Sequence, residues 1–206
     1  LIMGISGSLP FLLSGTISSI PSALFETISG YTTTGASILN DIETLTPGIM
    51  LWRSMTQWIG GMGIIVLTVA ILPLLGVGGM ELFAAESPGP SSAKIHAKIT
   101  DTAKRLWLIY VLITGVEVVL LKYAGMTWLD ALNHSFTTIS TGGFSTKNAS
   151  ISAFKNPLIE YIITGFMLIG GINFSIIYFL CKFSFRKALE NEEFRVYLGI
   201  VISFVI

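Results

Sequence analysis

Charge is scarce in this sequence. Only 12% of its 206 residues are Asp, Glu, Lys or Arg, where a soluble domain carries about 25%. The 12 basic and 12 acidic side chains cancel, so there is no basic surface to hold nucleic acid. A single cysteine, Cys181, excludes an internal disulfide framework and a cysteine-built zinc site. No basic stretch precedes the apolar residues 1–13, which therefore do not read as a signal peptide. What fills the chain instead is apolar side chains, 52% of the total, and 21 glycines. That pairing points to close-packed helices in a bilayer, an all-α membrane protein.

Three runs are long enough to cross a membrane, which takes about 20 apolar residues. Residues 54–80 and 161–181 carry no charge, and 106–121 carry only Glu117. Trp107 and Tyr110 in the third run suit a membrane interface. Residues 1–13 and 194–206 read as parts of further helices, so the chain is expected to be a piece of a longer membrane protein. Two other apolar stretches, 20–31 and 128–139, are only about half a membrane-spanning length. Each ends in a string of Thr, Ser and Gly. Irregular polar backbone is tolerated at membrane depth only where protein buries it or where it lines a watery path.

Lysine and arginine set the expected orientation. Eight of the 12 fall in 81–105 (Lys94, Lys98, Lys104, Arg105) and 182–195 (Lys182, Arg186, Lys187, Arg195). Those two connectors are assigned to the cytoplasm, and the half-length helices enter from outside. Ser87-Pro88-Gly89-Pro90 fits a connector. Asn148-Ala149-Ser150 matches a glycosylation acceptor, a short and weak motif.

The chain also repeats itself. At an offset of 108, Ala23, Leu24, Thr33, Gly35 and Ser37 coincide with Ala131, Leu132, Thr141, Gly143 and Ser145. At an offset of 110, Pro47 meets Pro157 and Ile59-Gly60-Gly61 meets Ile169-Gly170-Gly171. Each unit reads as outer helix, half-helix, Gly string and Gly-containing inner helix, with both half-helices pointing the same way. That is a parallel repeat about the membrane normal rather than an inverted one, and it sets Gly strings around one axis, the geometry of a pore. The expected layout has four parts. Residues 1–80 hold most of a first repeat, with its half-helix at about 18–31, string at 32–37 and inner helix at about 49–76. Residues 81–105 form the first connector. Residues 106–181 hold a second repeat, with outer helix at about 106–124, half-helix at about 127–139, string at 140–145 and inner helix at about 157–181. Residues 182–206 hold a second connector and the start of a third repeat.

A dehydrated cation needs its water shell replaced, which rings of backbone carbonyls can do. Turning carbonyls inward takes backbone angles that glycine reaches cheaply. The expected ion-binding residues are Thr32, Thr33, Thr34 and Gly35 in one string and Ser140, Thr141, Gly142 and Gly143 in the other. The carbonyls of Thr33, Thr34, Thr141 and Gly142 are expected to contact potassium. The half-helices end at these strings, so their partly negative C-terminal ends favour a cation. Glu26, His134, Ser37 and Ser145 are expected in support, with His134 more readily a hydrogen-bonded packing residue than a ligand. Gly60, Gly61, Gly170 and Gly171 read as close-packing positions. Glu117 is expected to pair with another helix, Arg53 to snorkel to the interface, and Asp41, Glu43 and Asp130 to form either a cation-attracting mouth or a solvated loop. No cofactor is called for; potassium is cargo.

At these residues the chain resembles the TrkH/TrkG/KtrB family of potassium-uptake transporters, and the TrkH branch above all. The resemblance runs through Tyr31-Thr32-Thr33-Thr34-Gly35-Ala36-Ser37, Gln57-Trp58-Ile59-Gly60-Gly61-Met62-Gly63-Ile64, residues 71–80, and Gly142-Gly143-Phe144-Ser145, and it covers essentially the whole chain. It implies four such repeats in the complete protein, a potassium-channel-like fold, filter glycines at Gly35 and Gly143, a homodimer, and a cytosolic ring of nucleotide-binding TrkA-like or KtrA-like subunits. It implies a bacterial inner-membrane location and potassium as cargo, with sodium or proton involvement open. The family's gating loop and pore-facing arginine belong to the third and fourth repeats. Two rival readings stand beside this one. An organic-solute transporter predicts inverted repeats and broken helices. A membrane serine hydrolase would use Ser37, Ser140 or Ser145 with His134 as base, but no activated-serine motif is evident.

Overall fold

A computed structural model describes residues 2–71, 92–181 and 189–205. Every regular element among them is helical. In chain order they are α1 (Ile2–Leu13), α2 (Ile20–Tyr31), α3 (Pro47–Ile71), α4 (Ser92–Tyr123), α5 (Trp128–Ile139), a 3₁₀ turn (Ser150–Phe154), α6 (Pro157–Gly170), α7 (Phe174–Cys181) and α8 (Glu192–Val205). They fall into two compact units. One comprises Leu1–Gly63 with Val111–Gly171, the other Ile64–Tyr110 with Ile172–Ile206.

The first unit holds both half-length helices. α2 and α5 are each 12 residues long, about 18 Å, and their bounds lie 108 positions apart, the offset of the sequence repeat. α2 opens on Pro21, whose fixed φ suits a first turn. α5 opens on Thr127, whose hydroxyl accepts the Asp130 amide. Asp130 in turn sits at the positive end of the helix and takes hydroxyl hydrogen bonds from Thr127 and Thr146, both 2.6 Å. Thr127→Ala should therefore cost about 1 kcal/mol, read as a lowered unfolding midpoint; an unchanged midpoint would show that Asp130 alone holds this helix start.

Packing in this unit gathers around the half-helices. Phe11, Ile17, Ala23 and Ile49 bury one cluster under α1 and α2, and the Trp52 indole donates to the Gly7 carbonyl at 3.0 Å. Leu121, Ala124, Met126, Ala131, Ile159 and Ile163 bury the other, between α4, α5 and α6. In lipid, apolar burial does little to drive helices together, so such contacts act through tight fit and polar bonds. Leu108, Leu112, Val116 and Val119 leave one side of α4 exposed and apolar, as a lipid-facing surface would be. α4 contains the one described helix long and apolar enough to span a membrane, Ala103–Tyr123.

The second unit packs Ile176 and Phe194 with Ile172, Leu180 and Leu198. Tyr110 is buried against Phe174, with ring centroids 5.6 Å apart; it is a core residue there, and Trp107 alone keeps an interfacial exposure.

Two expectations change. The apolar run 157–181 is not one inner helix: α6 stops at Gly170, residues 171–173 are non-helical, and α7 begins at Phe174. Paired glycines weaken a helix, and Asn173 supplies a start for the next one, with its carbonyl bonded by the Ile176 and Ile177 amides and its side chain donating to Glu193. α4 begins at Ser92, so the second part of the expected 81–105 connector is helix. The end of the first inner helix after 71, the breaker at 87–90, and most of the 182–195 connector lie outside the described residues.

Candidate functional site

The strings following α2 and α5 share their backbone geometry position for position. Both half-helices end on the same three-step turn. The Thr32 and Ser140 amides bond back to Ile28 and Phe136, the Thr33 and Thr141 amides to Gly30 and Thr138, and the Thr34 and Gly142 amides to Ser29 and Thr137. Thr33 and Thr141 then take φ of 55° and 54°, and Gly35 and Gly143 take 77° and 81°, with negative φ at the residue between. Positive φ at alternate positions takes the chain out of helix and strand geometry over these residues. A β-branched residue rarely holds positive φ; two threonines do so here, and the local strain costs on the order of 1–2 kcal/mol each.

Side chains secure each string at both ends. The Thr32 and Ser140 hydroxyls donate to the Ile28 and Phe136 carbonyls, both at 2.8 Å, and the Thr32 hydroxyl also meets that of Thr34 at 2.8 Å. Ser37 Oγ donates to Glu26 Oε1 at 2.9 Å and accepts from the Leu39 amide at 3.1 Å. At the matching positions, Ser145 Oγ lies 3.0 Å from His134 Nε2 and accepts from the Lys147 amide. His134 Nδ1 sits 2.8 Å from the Asp130 carbonyl, which can only accept. The ring therefore carries its proton on Nδ1, and Ser145 donates to Nε2. His134 is a hydrogen-bonded post, packed edge-on against Phe154. Of the three serines named for the hydrolase reading, Ser145 alone meets the His134 imidazole, while Ser37 bonds to Glu26 and Ser140 to the Phe136 carbonyl.

Glu26 is fully buried and paired. Its Oε1 receives Arg53 Nε at 2.7 Å, and its Oε2 receives the Ile38 amide at 3.0 Å. Arg53 does not snorkel: it is 3% exposed. Its Nη1 donates to the Ser145 carbonyl at 3.2 Å, and its guanidinium lies 3.7 Å above the Phe144 ring. One turn on, the Gln57 amide grips the second string at two points. Nε2 donates to the Gly142 carbonyl at 2.9 Å, and Oε1 accepts from the Phe144 amide at 3.1 Å. One lone pair of the Gly142 carbonyl is thus committed to Gln57. The carbonyls of Thr33, Thr34 and Thr141 accept no hydrogen bond among the described residues.

The strings also touch. A Cβ at Gly35 would collide with the Gly142 carbonyl oxygen, and one at Gly142 would overlap the Gln57 amide. Beyond them, Asn148 ties the two return loops together. Its Oδ1 accepts from the Ile42 amide at 2.8 Å, its Nδ2 donates to Asp41 at 2.9 Å, and its own amide donates to Glu43. Lys147 adds an exposed ion pair to Glu43. Asn148 is thereby a structural hub, its side chain occupied rather than offered to a glycan. Asp130 holds the start of α5, and Asp41 and Glu43 serve this crosslink while staying exposed.

Glu117 is fully buried; its carboxyl oxygens have no partner within hydrogen-bond distance among the described residues, and Thr138 on α5 is the side chain that faces them. Among the described residues no cluster of His, Cys, Asp and Glu is suited to a metal ion. Arg53, Gln57 and Asn148 are the residues that sequence reasoning underused. The first two had a signal: polar groups at i and i+4 on an otherwise apolar helix share one face and need partners.

Residues 1–202 match a family profile described as TrkH, a cation transport protein. The Trk system potassium uptake protein TrkH of Salmonella typhimurium is 47% identical over 208 residues, covering 100% of this chain and 43% of that protein. The Trk system potassium uptake protein TrkG of Escherichia coli is 39% identical over 186 residues, covering 89% of this chain and 38% of that protein. The crystal structure of the potassium transporter TrkH from Vibrio parahaemolyticus superposes with a TM-score of 0.83 at 40% identity, covering 98% of this chain and 41% of that one. The chain thus spans well under half the length of these relatives.

Proposed function

The chain belongs to the TrkH family of cation transport proteins, and from that premise we propose that it supplies two adjacent pore repeats of a bacterial potassium-uptake subunit in the plasma membrane. The observation that carries this reading is the pair of matched strings, each with left-handed residues at its second and fourth positions and each closing a half-length helix. Potassium passes along a central path that both strings line, shedding water for the carbonyls of Thr33, Thr34 and Thr141 and the remaining lone pair of Gly142. The C-terminal ends of α2 and α5 add partial negative charge without a full charge that would trap the ion. An inside-negative potential of 100 mV drives entry by about 2.3 kcal/mol per charge. The relatives carry potassium-transporter names, and no bond-making chemistry is assigned. The remaining repeats of the parent protein complete the ring, and the same reading gives the parent a homodimeric partner and a cytosolic nucleotide-binding regulator.

The test is rubidium uptake by the full-length parent in a bacterium lacking its own potassium-uptake systems, compared with Gly35→Asp and Gly143→Asp at matched membrane abundance. The parent is expected to restore uptake, and each variant to abolish it or lose ion preference. Uptake untouched by both substitutions would leave the strings as packing elements.

A further inference from the structure

We propose that α3 is a common brace for both strings, and that Gln57 and Arg53 are positioning residues that set ion discrimination. This rests on the filter reading above. α3 follows the first string in the chain, yet its two buried polar side chains hold the second. Gln57 fixes the Gly142 carbonyl and the Phe144 amide, and Arg53 holds the Ser145 carbonyl and stacks on Phe144. Three of the four peptide units between Gly142 and Thr146 are therefore pinned from one helix face. Arg53 also grips Glu26 on the half-helix of the first string. The Gly142 carbonyl that Gln57 holds is the same atom that abuts Gly35. The distance between the strings is thus set by a side chain that touches no ion.

Discrimination by carbonyl dipoles depends on their number, spacing and stiffness. A second string released from Gln57 can close on a smaller ion, so sodium should gain on rubidium. The chemistry of glutamine is specific here, because one amide must donate at one end and accept at the other. Gln57→Glu keeps the acceptor for Phe144 but turns a second oxygen on the Gly142 carbonyl. Gln57→Met keeps the volume and loses both bonds. Gln57→Asn keeps both functions one methylene short.

The experiment measures sodium and rubidium uptake by the full-length parent and these three variants at matched membrane abundance. The sodium-to-rubidium ratio is expected to rise about tenfold for Gln57→Glu and Gln57→Met, the scale of one lost buried hydrogen bond. It should rise less for Gln57→Asn. If the two drastic variants do not reach the membrane, Gln57→Asn decides by the same ratio. A purely structural role lowers both fluxes together, and an unchanged ratio in every variant that reaches the membrane overturns the proposal. A parent that takes up no rubidium at all overturns the filter reading instead, so the two failures are told apart.

Discussion

Arg53→Met is expected to destabilise the full-length parent by about 3–5 kcal/mol, the cost of leaving one member of a buried ion pair without its partner. Glu26 has almost no exposure and receives three donors, of which Arg53 alone is charged. Without it, a carboxylate stays in a dry interior on two neutral hydrogen bonds. The Ser145 carbonyl and the Phe144 face lose their cation in the same step. Glu26→Gln in the same chain should restore at least half of the loss, because the stranded charge is then gone while an acceptor remains for Ser37 or Ile38. Thermal unfolding of the detergent-purified protein reads this cycle. A double variant no more stable than Arg53→Met alone would mean that the contacts of Arg53 with the second string matter more than its charge.

Gly60→Ala and Gly170→Ala occupy equivalent places in the two halves of the repeat and should behave differently. A Cβ on Gly60 would run into the Tyr31 backbone, the last residue of α2. On Gly170 the nearest atoms are the Ile139 and Thr138 carbonyl oxygens at 3.3 and 3.4 Å, at the end of α5. Backbone cannot rotate away as a side chain can, so Gly60→Ala must move α3 or uncoil the end of α2. The overpacking cost is about 1–3 kcal/mol or more. Gly170→Ala needs only a few tenths of an ångström of adjustment and should leave the unfolding midpoint near that of the parent. Equal losses at the two sites would show that both inner helices approach their half-helices equally closely.

Much of this arrangement was legible in the residues because it is local. Half-length apolar runs, prolines at helix starts and a fixed offset between Thr-Gly strings determine α2, α5 and the turns after them, since each depends on neighbours within a few positions. The tie between each string and its half-helix also spans only 11 residues, at Glu26 with Ser37 and His134 with Ser145. What escaped was carried by partners distant in sequence. Arg53 reaches Ser145, 92 positions on, and Gln57 reaches Gly142, 85 positions on. An arginine near the start of an apolar helix gives no sign of whether lipid headgroups or another loop will receive it. Asn148 was masked by a three-residue motif that says nothing about the loop opposite. The break at 171–173 was hidden for another reason: an uncharged run shows no difference between one helix and two.

The offset between the two repeats changes from 108 to 110, and the place where it changes has a consequence for how such a protein can diversify. Half-helix, string and supporting serine keep one register to Ser37 and Ser145, and the two additional residues fall before Pro157, in the return segment that carries the 3₁₀ turn Ser150–Phe154. Length variation is absorbed where the chain only has to get back to the next helix. Insertions, epitope tags or spectroscopic labels placed between 149 and 150, clear of the Phe154 ring on His134, would lengthen a tether while leaving the carbonyl geometry untouched. The same residues placed between 29 and 37 would change the reach of every bond that holds the string in place.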